Sequence, residues 1–78
     1  AFSCVPLVAM NTLNISHNKV NIFGGAVSLG HPIGASGTRI LVTLINALEI
    51  KKKTYGLASL CIGGGEAVAL IVKRESNE

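Results

Sequence analysis

Charge, aromatic rings, cysteine and long apolar runs are all scarce in this 78-residue chain. Charged residues make up 14% of it, against about 25% in an average soluble domain. A domain this small buries only about 60% of the surface its unfolded chain exposes. Standing alone, it should be rich in charge. The shortage, set beside 49% hydrophobic residues, points to a chain that supplies the interior of something larger or packs on a partner. The longest unbroken apolar run, Ala67 to Val72, falls far short of the roughly 20 residues that span a bilayer, so no membrane anchor is expected. The aromatics are Phe2, Phe23 and Tyr55. They do not interleave with the basic runs Lys51–Lys53 and Lys73–Arg74 in the manner that base stacking requires. The net charge of +3 therefore reads as a solvated helix end, not as a nucleic-acid surface.

Two cysteines, Cys4 and Cys61, and two histidines, His17 and His31, show no close metal-ligand spacing, which argues against a zinc site of about four ligands. In a chain without a secretory pattern the cysteines fit reduced thiols better than a Cys4–Cys61 disulfide, which stays the alternative. The chain opens on Ala1-Phe2-Ser3 with no initiator methionine and no positively charged lead. It reads as though cut into a helix.

What is present is periodicity and glycine. Phe2, Val5, Val8, Ala9 and Leu13 recur at helical spacing, predicting an amphipathic helix over residues 1 to about 14. Pro6 fits it only in the first turn or at a kink. Asn14 to Lys19 is a polar turn with His17 facing solvent. Val20-Asn21-Ile22-Phe23 alternates apolar with polar and predicts a short strand. Gly24-Gly25 ends it, and Ala26 to Leu29 leads into the loop Gly30-His31-Pro32-Ile33-Gly34. Ser36 is a candidate N-cap for a second helix, whose face is Ile40, Leu41, Leu44, Ile45 and Leu48. Lys51 to Lys53 close that helix at its negative end. Leu57 to Ile62 and Ala67 to Lys73 predict two buried strands joined across Gly63-Gly64-Gly65 as an antiparallel hairpin. Glu75 to Glu78 reads as a frayed polar tail. The order is helix, strand, helix, strand, strand: part of a layered α/β arrangement.

All the glycines but Gly56 fall in three clusters, at 24–25, at 30, 34 and 37, and at 63–65. Clustered glycine implies tight turns or close approach of a ligand to the main chain. Two clusters flank His31 and Cys61, side-chain types that exchange protons near neutral pH. Taken singly, a loop histidine is more often a structural hydrogen-bonder, and a buried cysteine usually behaves as a small hydrophobe. The spacing of Gly30 to Gly37 matches neither the P-loop nor the dinucleotide fingerprint.

The wording around these residues is more specific. Asn21-Ile22-Phe23-Gly24-Gly25-Ala26-Val27-Ser28-Leu29-Gly30-His31-Pro32-Ile33-Gly34-Ala35-Ser36-Gly37 is similar to the signature around the catalytic histidine of thiolases. Gly56-Leu57-Ala58-Ser59-Leu60-Cys61-Ile62-Gly63-Gly64-Gly65 resembles their C-terminal cysteine signature, and Ala1-Phe2 resembles the end of their Asn-Glu-Ala-Phe motif. The resemblance covers residues 1 to about 74 and implies the C-terminal portion of the thiolase C-terminal domain, a layered α-β-α half, over residues 1–78. Ser3 and the Gly-Gly-Ala-Val-Ser-Leu wording are closer to the biosynthetic acetyl-CoA acetyltransferase branch.

By that resemblance His31 takes the proton from a nucleophilic cysteine and helps hold the oxyanion of the second acyl-CoA. Cys61 exchanges protons with the leaving thiolate and the substrate α-carbon. The Gly63 N–H joins an oxyanion hole, a donor of the kind whose loss costs about 3–4 kcal/mol. Ala1 and Phe2 line the pantetheine channel, and the backbone of Val27 touches a potassium ion in potassium-dependent members. The nucleophilic cysteine belongs to the family's N-terminal half, and Cys4 does not stand in its place. Glu66-Ala67 departs from the residues common after the glycine run.

The resemblance further implies coenzyme A thioesters as substrates, no required cofactor, a potassium ion only in potassium-dependent members, a homodimeric or homotetrameric parent, and a cytoplasmic place with mitochondrion and peroxisome as alternatives. Alone, the chain is expected to be inactive and aggregation-prone. The competing readings are a 3-ketoacyl-CoA thiolase of longer chain preference and a non-catalytic thiolase-like interaction module.

Overall fold

The computed structural model describes residues 1–75, so Ser76-Asn77-Glu78, most of the expected polar tail, lie outside the described residues. The chain divides into two compact units, Ala1–Ile33 and Gly34–Glu78. Its fold is mixed helix and antiparallel strand.

In the first unit, α1 spans Cys4–Leu13. Pro6 is its third residue, inside the first turn, where a missing N–H leaves no helical bond unmade. Asn14 ends the helix in the left-handed region (φ 56°), and its N–H bonds the Met10 carbonyl. Asparagine tolerates that region better than most side chains. The helix has no buried residue, and Phe2, Val5, Leu7, Val8 and Leu13 are all exposed. A short 3-10 turn, His17–Lys19, follows. There the Ser16 hydroxyl donates to Asn18 Oδ1 (2.6 Å), and His17 is exposed as expected.

Residues Val20 to Phe23 form no strand among the described elements. Asn21 sits at φ 48°, and the Gly24 N–H donates to its carbonyl at 2.9 Å, which closes a turn in place of an extended segment. The alternation of Val20-Asn21-Ile22-Phe23 satisfied a strand pattern, but a strand also needs a neighbour for its backbone groups, and the sheet among the described residues pairs Tyr55–Gly63 with Glu66–Lys73 alone. The chain then makes one helical turn, α2 (Ala26–Leu29), a segment to which no element was assigned from the sequence. Gly30 closes α2 at φ 95° with its N–H on the Ala26 carbonyl (2.8 Å).

In the second unit, α3 spans Ser36–Lys51. Ser36 is its first helical residue and not its cap: Ala35 occupies the capping position and offers no side-chain acceptor. Ser36 is buried instead. Lys52 terminates the helix in the left-handed region, with its N–H on the Leu48 carbonyl. Strands β1 (Tyr55–Gly63) and β2 (Glu66–Lys73) pair antiparallel from Tyr55↔Lys73 to Gly63↔Glu66. Glu66 opens β2 opposite Gly63, where the register is irregular between Cys61 and Gly63. The Ser59 hydroxyl donates across it to the Val68 carbonyl (2.9 Å). At the other end the Arg74 N–H donates to the Thr54 carbonyl (2.6 Å) and Arg74 Nε to that of Lys53 (2.8 Å).

Helix α3 packs on β1 through Gly56. A Cβ there would lie 2.7 Å from Leu44 Cδ1 and 3.1 Å from Leu48 Cδ1. Leu48 is the buried apolar side chain of this unit, 6% exposed. Burying such a side chain contributes about 1.5–3 kcal/mol. Alternation puts Gly56, Ala58 and Leu60 half-buried on one face, with Leu57, Ser59 and Cys61 exposed on the other. Along β2 only Val72 is half-buried. Both strands were expected to be buried, and neither is. Their composition suits cover on two faces, and among the described residues one helix covers part of one face.

Two substitutions test this packing, in a soluble polypeptide that carries the chain. Gly56→Val forces Leu44 and Leu48 off the strand and should lower stability by about 1–3 kcal/mol, the usual cost of overpacking, read from the urea midpoint. Gly64 turns the hairpin at φ 60°. Gly64→Val should therefore cost about 1–2 kcal/mol, while Gly64→Asn should cost clearly less. Equal losses for the two would contradict the backbone explanation.

Candidate functional site

The expected site residues divide between the two units. In the first, Ala1 and Phe2 precede α1 and are exposed. Val27 is an exposed residue of α2. His31 is the first residue past Gly30, whose φ of 95° sets the direction of the loop. That region is costly for a side chain and free for glycine. No Cβ at Gly30 would meet anything within 4 Å, so the demand there is for backbone conformation and not for space.

How the turn before His31 is held is plain from its bonds. The Ser28 hydroxyl and the Ser28 N–H both donate to the Gly25 carbonyl (3.2 and 3.1 Å), which also accepts from the Leu29 N–H (2.8 Å). The Asn21 side chain packs against Gly25, where a Cβ would fall 2.8 Å from Asn21 Nδ2. Gly24 likewise leaves room for Ser28 Oγ, 3.0 Å from where its Cβ would be. His31 is thus carried by a segment whose glycines admit neighbouring side chains. His31 is exposed.

In the second unit the hairpin brings Cys61 and Gly63 together at its turn end. Cys61 pairs with Ala67 and Gly63 with Glu66, and an irregularity falls between Cys61 and Gly63. Gly63, Gly64 and Gly65 have φ values of 95°, 60° and 80°. Three consecutive left-handed residues are feasible only for glycine or, singly, asparagine. None of the three would bring a Cβ within 4 Å of another atom, so this end of the hairpin is open. Cys61 is exposed and free, as is Cys4. The sequence reading put Cys61 at the end of a buried strand; the strand is open because nothing among the described residues covers that face.

The donor set does not make an ion site by itself. Hard cations take several oxygen ligands, Val27 would give one carbonyl, and no group of three His, Cys, Asp or Glu side chains comes together among the described residues. No helix of the described residues is long and apolar enough to cross a membrane. One polar feature escaped sequence reasoning: Arg39 Nε is buried with no hydrogen-bond partner among the described residues. Its place beside the apolar stripe of α3 carried no signal of that.

Residues 1–74, which include the loop of His31 and the hairpin of Cys61, match the family model described as "Thiolase, C-terminal domain". The chain belongs to the thiolase family. It is 53% identical over 74 residues to the acetyl-CoA acetyltransferase of Escherichia coli K12, a match covering 95% of this chain and 19% of that protein. It is 54% identical over 77 residues to the acetyl-CoA acetyltransferase of Yarrowia lipolytica, covering 99% of this chain and 19% of the relative. With the cytosolic acetyl-CoA acetyltransferase of Rattus norvegicus it shares 54% over 74 residues, 95% of this chain and 19% of the relative. The chain spans about a fifth of the length of these relatives.

Thiol accessibility follows directly from this geometry. A thiol reagent such as DTNB should titrate two thiols per chain without denaturant, Cys4 and Cys61. A native count of zero would reveal a disulfide or buried sulfur and contradict the open face of β1.

Proposed function

We propose that this chain is the acid–base portion of an acetyl-CoA acetyltransferase, the enzyme that joins two acetyl-CoA into acetoacetyl-CoA and CoA and runs the reverse thiolysis. The observation that carries the reading is Cys61, exposed two residues before the left-handed Gly63 at the open end of the hairpin, in a chain of the thiolase family. The names of the E. coli, Yarrowia and rat relatives support the acetyl substrate.

In this reading the acyl-accepting cysteine is not supplied by residues 1–78. His31 takes the proton from that thiol, so that its thiolate attacks the thioester carbonyl of the first acetyl-CoA, and the Gly63 N–H faces the oxyanion that forms. CoA leaves with a proton from Cys61. The Cys61 thiolate then removes a proton from the methyl of the second acetyl-CoA. The resulting carbanion attacks the acyl-enzyme carbonyl, a C–C bond forms, the C–S bond to the enzyme breaks, and the departing thiolate recovers the proton held by His31. A thiol and an imidazole suit these transfers because each can both give and take a proton near neutral pH. Ala1 and Phe2, exposed and small or flat, suit the wall of a pantetheine channel. The parent would be a homodimer or homotetramer of the cytoplasm, a placement favoured by the cytosolic relative.

Two measurements test the reading. The 78-residue chain alone should give no thiolysis of acetoacetyl-CoA above buffer. In a polypeptide extended to the length of its relatives, His31→Ala and Cys61→Ala should each lower kcat by about 10²–10⁴-fold, the usual range for a lost acid or base. Undiminished turnover in either variant would remove that residue from the mechanism. Preference for longer 3-ketoacyl-CoAs over acetoacetyl-CoA would move the enzyme to the degradative branch.

A further inference from the structure

We draw no further inference here: the strongest candidate, the uncovered face of the β1–β2 hairpin that carries Leu57, Ser59, Cys61 and Ile71, is an unpartnered apolar surface, and nothing in the structure shows what covers it.

Discussion

At Gly56 strand β1 has no side chain, and Leu44 and Leu48 of α3 occupy the space a Cβ would need. The helix comes close enough there to bury Leu48 and to give one face of β1 a floor. A two-stranded hairpin by itself is marginal in water. The hydrogen bonds from Arg74 to the carbonyls of Lys53 and Thr54 fasten the end of β2 to the segment that follows α3. Helix, connection and hairpin thus brace one another at one end, and the other end, with Cys61 and Gly63, is left projecting. The chemistry proposed for this unit sits where its packing is thinnest.

The first unit is held by main-chain bonds more than by apolar burial. Asn21 and Gly24 are both left-handed, the Gly25 carbonyl gathers two backbone donors and a serine hydroxyl, and Gly30 redirects the chain before His31. Each of these conformations costs a residue with a side chain more than it costs glycine or asparagine. The glycine wording of the motif therefore has a mechanical origin as well as a chemical one. The apolar side chains of α1 take no part in it: Val5, Leu7 and Val8 all face water.

Elements whose signal is local were legible in the sequence. The Leu44 and Leu48 spacing announced α3, and the glycine run at 63–65 announced the hairpin, because a helical stripe and a tight turn are specified by the residues that form them. Val20 to Phe23 misled because alternation reports only which faces a strand would present, and the backbone partner that makes a strand is not written in those four residues. Ser36 misled by one position: the first turn begins at Ser36, so Ala35 takes the capping place. Burial of β1 and β2 was read from composition, which reflects the surroundings a strand is suited to, while its exposure reflects what this chain brings. Of the site, His31, Cys61 and Gly63 were singled out by the glycine pattern and the family wording, and their catalytic roles stand as a proposal. The buried Arg39 Nε was not, since burial of one nitrogen depends on packing that no spacing rule encodes.

In the proposed mechanism Cys61 moves protons and does not accept the acyl group. Exchange of the acetyl-CoA methyl protons with D2O separates those roles most directly, measured by mass spectrometry in the extended polypeptide beside trapping of the acyl-enzyme. Cys61→Ala should abolish deuterium uptake while acyl-enzyme, formed more slowly without the Cys61 proton for the leaving CoA, still accumulates on a different cysteine. Persistent deuterium uptake in that variant, or acyl label on Cys61 in the wild-type protein, would contradict it.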